Sequence, residues 1–227
     1  MKEKTIYEHL REKGLSRRDF MKLCGTIAGF LGLEFSPPVK ALGKLVQPDP
    51  AKAVARALQT KTRLPIIWLE FQDCAGCSEA ISRSSSPALS SLVLNDLAIE
   101  YHETLMAASG FQAESSKEEC LNKYHGQYVL VVEGSPSLAE DGIFCTVGGK
   151  SNLEILKEAA AGAAAIIATG NCASFGGIPA ARPNPTGACG VADLIKDKPV
   201  INIPGCPAIP EVTTGTILHF LILGQLP

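Results

Sequence analysis

The chain has 227 residues, of which 46% are hydrophobic and 6% aromatic, and its formal net charge is −2. This composition is that of a globular protein of one domain or slightly more, and it excludes a largely disordered chain. Nine of the 21 basic and five of the 23 acidic residues lie in residues 1–48, so the rest of the chain has a formal charge of about −6. That acidic balance argues against nucleic acid as a partner.

Residues 1–48 are predicted to be an export signal and linker rather than part of the fold. The stretch "SRRDFMK" contains the pair Arg17–Arg18 and matches the twin-arginine signal. The apolar run from Met21 to Leu33 is shorter than the roughly 20 residues that a membrane span needs. The alternative is a basic amphipathic helix. Because the twin-arginine route carries folded proteins, we expect a periplasmic protein that can carry a preloaded cofactor.

From residue 63 onward, apolar runs alternate with amphipathic ones. Runs with the pattern of strands are 63–71, 97–105, 127–135, 163–170 and 198–205. Runs with the pattern of helices are 87–95, 114–124, 151–163, 190–195 and 210–227. Strand and helix in alternation predict an α/β domain over residues 60–227 with a doubly wound parallel sheet.

Two of these helices have residues typical of a helix start. Ser115 or Ser116 is the expected cap of the helix 114–124. Ser151 precedes the helix 151–163 together with Glu154, three residues later, which predicts a capping box.

Four of the eight cysteines follow predicted strands directly. Cys74 and Cys77 follow the first strand, Cys172 the fourth and Cys206 the fifth. Because ligands bind outside the carboxyl ends of the strands in such sheets, the four thiols should lie at one edge. Four thiolates suit a tetrahedral metal ion or an iron–sulfur cluster.

The residues around these cysteines favour a cluster. Five glycines nearby would let backbone N–H groups approach the sulfurs: Gly76, Gly170, Gly176, Gly177 and Gly205. A structural zinc site more often uses two CxxC pairs. A dithiol redox site would have no need of Cys172 and Cys206.

The remaining cysteines and histidines are predicted to be structural. Cys120 is expected to be a buried thiol in a helix, whereas Cys145 and Cys189 are loop residues. The histidines, His102 among them, occur singly in predicted elements.

The stretches "CAGCSEA", "VVEGSP", "GNCASFGGIPAARPNPTGA" and "PGCPAIPE" together resemble the small subunit of NiFe hydrogenase, from the "SRRDFMK" signal to the last helix. The resemblance implies a flavodoxin-like domain that holds the proximal 4Fe-4S cluster through Cys74, Cys77, Cys172 and Cys206. It implies no catalytic residue in this chain, because the Ni–Fe centre that splits hydrogen belongs to a separate large subunit.

The resemblance also implies an electron path. Electrons would pass from the large subunit through this chain to an acceptor such as a cytochrome, on the outer face of the membrane and with peripheral membrane association through a partner. Members of the family also carry a C-terminal domain with medial and distal clusters, which these 227 residues do not encode.

Two other functions remain as alternatives. One is the related cluster-bearing subunit of the respiratory quinone reductase, complex I, which uses an adjacent cysteine pair instead of CxxC and needs no export signal. The other is a binding module stabilised by a zinc ion on four cysteines. An FMN-binding flavodoxin is disfavoured, because its first loop would need Ser or Thr with glycines where this chain has cysteines.

Overall fold

The computed structural model describes residues 4–31, 39–41, 44–46, 49–85 and 87–227. The chain divides into a helical unit, residues 1–63 with 215–227, and a sheet unit, residues 64–214. The predicted boundary at residue 48 lies outside the described residues. The division into a signal and a domain therefore stays a prediction.

Among the described residues, the helical unit contains three whole helices, a short antiparallel hairpin and residues 215–223 of the last helix of the chain. Its elements are α1 (Ile6–Glu12), α2 (Arg17–Phe30), β1 (Val39–Ala41), β2 (Lys44–Val46) and α3 (Pro50–Thr60). Helices α1 and α2 both contact α3. Their buried side chains are Ile6, Leu10, Phe20, Cys24, Ile27, Ala28, Val54, Ala55 and Leu58. Apolar residues spaced three or four apart thus place one buried face on each helix.

Part of the predicted signal therefore has regular structure. The apolar run expected from residue 21 onward is helical up to Phe30, and Ser16 caps this helix by accepting the Asp19 N–H at 3.1 Å. Residues 32–38, at the end of the predicted run, lie outside the described residues. Among the described residues, no helix combines the length and apolar character that crossing a membrane requires.

The sheet unit alternates strands and helices, and its last helix continues into residue 223. In chain order the elements are β3 (Leu64–Glu70), α4 (Gly76–Ser82), α5 (Leu89–Asn95), β4 (Leu97–His102), α6 (Phe111–Lys123), β5 (Tyr128–Glu133), β6 (Thr146–Val147), β7 (Lys150–Ser151), α7 (Asn152–Ala161), β8 (Ala163–Thr169), α8 (Gly170–Phe175), α9 (Val191–Leu194), β9 (Val200–Ile203) and α10 (Pro210–Leu223).

The main sheet has five parallel strands in the order β4-β3-β5-β8-β9. Counted along the chain within this sheet, the order is 2-1-3-4-5, which is that of a flavodoxin-like doubly wound fold. Every residue of β3 and β5 is buried, as expected for central parallel strands covered on both faces. The predicted fold class is confirmed.

The local predictions had mixed outcomes. The capping box of α7 is confirmed, since Ser151 and Glu154 bond reciprocally, at 3.4 and 2.8 Å. The predicted caps of α6 are wrong, because α6 begins at Phe111 after Gly110 and the Ser116 hydroxyl instead donates to Glu100 O in β4 at 2.8 Å.

The strand predicted over 97–105 ends early, at His102. Thr104 turns away because its N–H and its hydroxyl both bond to the Glu70 carboxylate, at 3.1 and 2.7 Å. The short helices α4 and α8 were not predicted from the sequence.

Candidate cysteine site

A cavity of about 230 Å³ lies at the carboxyl ends of β3, β5 and β8, and all four predicted cysteines line it. Cys74 and Cys77 come from the segment after β3, and Cys206 from the loop after β9. The topology thus brings together three segments that are far apart in sequence. Cys77 and Cys172 lie in the first turns of α4 and α8, not in loops as predicted.

Three glycines give the sulfurs space that any side chain would fill. A Cβ at Gly170 would lie 2.5 Å from Cys77 Sγ, and one at Gly177 would lie 2.7 Å from Cys172 Sγ. A Cβ at Gly76 would meet Cys74 Sγ at 3.1 Å. The absence of a side chain therefore matters at these three positions, whereas the predicted approach of their N–H groups to the sulfurs stays a prediction. At Gly176 and Gly205 a Cβ would meet Ala180 and Pro207 instead, so these two glycines serve backbone packing.

Hydrogen bonds fix the cysteine-bearing segments to one another. Asn171 N–H donates to Gly205 O at 2.7 Å, and Gly205 N–H donates to Asn171 Oδ1 at 2.8 Å, which joins the Cys172 and Cys206 segments. The Ser135 hydroxyl, just after β5, donates to Cys172 O and Gly176 O at 3.0 and 2.7 Å. Hydrogen bonds within the protein therefore fix the segments that form the cavity wall.

The donor set at the cavity bears on the group that it could hold. The cavity is lined by four thiols, and a glycine face lies beside three of the sulfurs. Four thiol ligands suit a tetrahedral ion or an iron–sulfur cluster, and the space that the glycines leave beside the sulfurs fits a cubane cluster. Within the described ranges, the carboxylates of Glu70, Asp73 and Glu133 also have oxygen atoms within 4.8 Å of one another.

Glu133 is the buried carboxylate at this cavity. It ends β5, is 2% exposed and lines the cavity together with Asp73. Its Oε1 accepts the Cys77 N–H at 2.8 Å. Its Oε2 accepts the Ser78 hydroxyl at 2.6 Å and the Trp68 indole N–H at 3.2 Å.

A second buried carboxylate, Glu70, belongs to the same network. Ser78 Oγ lies 3.1 Å from Glu70 Oε1 and 3.2 Å from His102 Nε2. His102 stacks on Trp68, with ring centroids 5.1 Å apart, and its Nδ1 lies 3.5 Å from Glu70 Oε2. Both carboxylates therefore have hydrogen-bond donors around them, and these donors compensate for their burial without a metal ion.

Burial and neighbouring charges shift several pKa values here. Burial raises the pKa of Cys77 to about 11, and it also raises that of Cys172. Burial by itself raises the pKa of Glu70, but hydrogen bonds from His102 and Thr104 outweigh it and lower that pKa to about 2. For Asp73, desolvation together with the charges of Glu133 and Glu70 raises the pKa to about 7.

The other cysteines of the sheet unit do not line the cavity. Cys120 is buried in α6, as predicted, whereas Cys145 and Cys189 are half-buried and do not line the cavity. Sequence reasoning missed Glu133 and Glu70. An acidic residue at the end of a fully apolar strand, as in "YVLVVE" and "LPIIWLE", was the available signal, because such a side chain must find buried partners.

The fold and the four-cysteine edge define a parallel α/β protein with a thiol-ligand site. Residues 74–220 match the family model described as the NADH ubiquinone oxidoreductase 20 kDa subunit, and the chain belongs to this family. The match covers the whole cysteine site.

Curated relatives extend the likeness to nearly the whole chain. The chain is 45% identical to the uptake hydrogenase small subunit of Azotobacter vinelandii over 98% of its own length and 59% of the relative's. It is 44% identical to the Hydrogenase-1 small chain of Citrobacter freundii, over 99% of its length and 56% of that chain. The predicted resemblance to hydrogenase small subunits is confirmed, and the chain spans less than two thirds of these relatives.

A solved structure agrees with this likeness. The reduced, active Ni-Fe-Se hydrogenase of Desulfomicrobium baculatum superposes with a TM-score of 0.70 at 32% identity, over 73% of this chain and 66% of that one.

Proposed function

We propose that this chain is the electron-transfer small subunit of a NiFe hydrogenase, in which hydrogen is oxidised to protons and electrons in a partner large subunit. The observation that carries the proposal is the cavity that all four strand-end cysteines line, with glycine faces beside three of the sulfurs. The likeness to hydrogenase small subunits supports it.

In this proposal Cys74, Cys77, Cys172 and Cys206 hold a proximal 4Fe-4S cluster, which supplies one-electron transfer next to the Ni–Fe centre. Thiolates are the ligands, so Cys77 and Cys172, whose pKa values burial raises, must lose their protons when metal binds. The glycines leave the space beside the sulfurs free of side chains. The hydrogen-bonded pair Asn171 and Gly205 fixes the Cys172 and Cys206 segments relative to each other. No residue of this chain is proposed to act on hydrogen.

Exposed apolar side chains beside the cavity suit a large-subunit interface. Phe175 and Ile178, 63% and 79% exposed, follow Cys172 along the chain. Ile209 and Val212, 60% and 48% exposed, follow Cys206. Large apolar groups of this kind in water mark a surface that a partner covers. We propose that the large subunit binds here.

The two alternatives are weaker. Both a complex I subunit and this chain fit the matched family model, but the hydrogenase relatives and the CxxC spacing of Cys74 and Cys77 favour hydrogenase. A zinc-stabilised binding module is disfavoured because the relatives that the chain resembles over nearly its whole length are hydrogenase small subunits.

The proposal extends to export and electron delivery. The twin arginines Arg17 and Arg18 lie exposed in the first turn of α2, where a transport receptor can reach them. We propose export in the folded state to the periplasm, peripheral association with the outer face of the membrane through a partner, and a cytochrome as electron acceptor.

The test uses this chain co-produced with its large subunit and purified without oxygen. We expect about four irons and four sulfides per small subunit and the EPR signal of a reduced cubane. Cys206→Ala should lose the cluster or convert it to a three-iron form. The matched control is Cys189→Ala, which removes a half-buried thiol outside the cavity and should leave iron unchanged.

One zinc and no iron in the wild-type complex would overturn the proposal, as would a full four-iron cluster in the Cys206 variant. For export, replacing both Arg17 and Arg18 by Lys should retain the protein in the cytoplasm, as measured by cell fractionation. Unchanged periplasmic yield would contradict the export proposal alone.

A further inference from the structure

Helix α4, which carries Cys77, lacks a capping side chain of its own. Helix starts normally have Ser, Thr, Asp or Asn at this position. Here the residue is Ala75, which has no side-chain oxygen and whose φ of 56° is left-handed. The backbone N–H of Cys77 would need another acceptor, because it lies in the first turn.

A carboxylate from the neighbouring strand provides that acceptor. Glu133, 56 residues further along the chain, accepts the Cys77 N–H at 2.8 Å. Its other oxygen accepts Ser78 Oγ–H and Trp68 Nε1–H. All three groups can donate, which is the arrangement that a carboxylate anion requires. The side chain is fixed by these bonds and lines the same cavity as the four thiols.

We infer that Glu133 is a positioning residue for the cysteine site: it anchors Cys77 through its backbone and places a fixed negative charge at the cavity wall. This inference rests on the proposed function. A buried negative charge beside a cluster disfavours the added electron and so lowers the reduction potential. Glu133 thus has two separable effects, one on the position of the Cys77 segment and one on the reduction potential of the cluster.

Two substitutions separate these effects in the complex with the large subunit. Glu133→Gln keeps the length of the side chain and removes the charge. We expect it to favour the reduced cluster about tenfold, a rise of 59 mV for one electron, in an EPR-monitored redox titration. Glu133→Asp keeps the charge but withdraws the carboxylate from the Cys77 N–H. We expect a potential near that of the wild type and several-fold faster iron release to a chelator.

Two matched controls accompany them. Glu154→Gln removes an exposed helix-start carboxylate far along the chain from the cysteines and should change neither measurement. Glu70→Gln removes the buried carboxylate that shares Ser78 with Glu133 but does not line the cavity. It should shift the potential and the iron release less than either Glu133 variant does. Circular dichroism reports the fold of each variant.

The outcomes separate this inference from the function on which it rests. A wild-type complex without a cluster signal overturns both. A wild-type cluster together with unchanged potential and iron release in the two Glu133 variants overturns the inference alone. Equal effects in Glu70→Gln, or loss of the fold in both Glu133 variants, would assign Glu133 to the core instead of the site and would also overturn it.

Discussion

Helices α1, α2 and α3 of the helical unit each bury one face, whereas β3 and β5 of the sheet unit are buried along their whole length. The strands are covered by helices on both sides, as in other doubly wound sheets. Among the described residues, the helical unit therefore has fewer buried apolar side chains than the sheet unit.

The difference bears on what each unit can support. A site that must hold four sulfurs at fixed spacing needs a rigid frame, since loop segments are positioned by the elements that they follow. The central strands provide such a frame at their carboxyl ends. The described helices of the helical unit have local caps, at Thr5 and Ser16. Five experiments test this contrast.

The largest effect is expected from Leu130→Ala in β5. Leu130 is 0% exposed within a hydrophobic core cluster of the sheet unit, and its truncation leaves a cavity beside the central strand. We expect a loss of about 4 kcal/mol in the free energy of unfolding, measured by urea denaturation followed by circular dichroism. A loss below about 1 kcal/mol would show that the sheet core relaxes around the gap.

The same substitution in the helical unit should cost less. Leu58 in α3 is 1% exposed, so Leu58→Ala is matched to the sheet variant in chemistry and burial. We expect a loss of about 2 kcal/mol, because a small cluster can collapse more completely around the missing side chain. Hydrogen exchange should show the change in α1, α2 and α3. Equal losses at the two positions would remove the contrast between the units.

Two buried thiols report the opening of each unit. Burial raises the pKa of Cys24 in α2 to about 11 and that of Cys120 in α6 to about 12. In rising urea at pH 8, iodoacetamide should label Cys24 before Cys120, because the helical unit has the smaller core. Mass spectrometry assigns the sites. Simultaneous labelling would mean that the two units open together.

The same thiols predict a pH dependence. Their raised pKa values mean that the folded chain keeps protons that the unfolded chain loses above the ordinary value of 9.0. Their contribution to stability is therefore complete below pH 9 and is lost as the pH rises toward 11 for Cys24 and 12 for Cys120. Cys24→Ala should remove the first part of this loss in denaturation curves between pH 8 and 11.

The smallest effects are expected at the helix caps. Capping boxes occur in both units, at Thr5 with Glu8 and at Ser151 with Glu154. Ser151→Ala should cost about 1 kcal/mol and Thr5→Ala about half of that, because α1 lies near the chain start. Hydrogen exchange of the first-turn amides measures both. A larger effect at Thr5 would contradict the ranking.

Much of this fold could be predicted from the sequence because its strands and helix caps depend on residues that are close along the chain. Each of the five sheet strands is an apolar run, and the capping box at Ser151 needs residues only three positions apart. The cap predicted at Ser115 or Ser116 failed for the opposite reason. The Ser116 hydroxyl donates to Glu100 O in β4. A hydrogen bond between two different elements cannot be recognised from the residues of the helix alone.

The sequence alone determined that the strands are parallel and that four cysteines follow three of them, and a doubly wound sheet then brings those thiols to one edge. The tertiary structure decided which side chains complete that edge. Glu133 and Cys77 are 56 residues apart, and their bond forms because β3 and β5 are neighbours that both end there. The contact of Gly170 with Cys77 Sγ depends equally on strand order, because the two residues follow different strands, whereas Gly76 and Gly177 contact sulfurs of their own segments. Such contacts depend on the packing of the whole sheet, whereas strand and cap patterns depend on residues that are close along the chain.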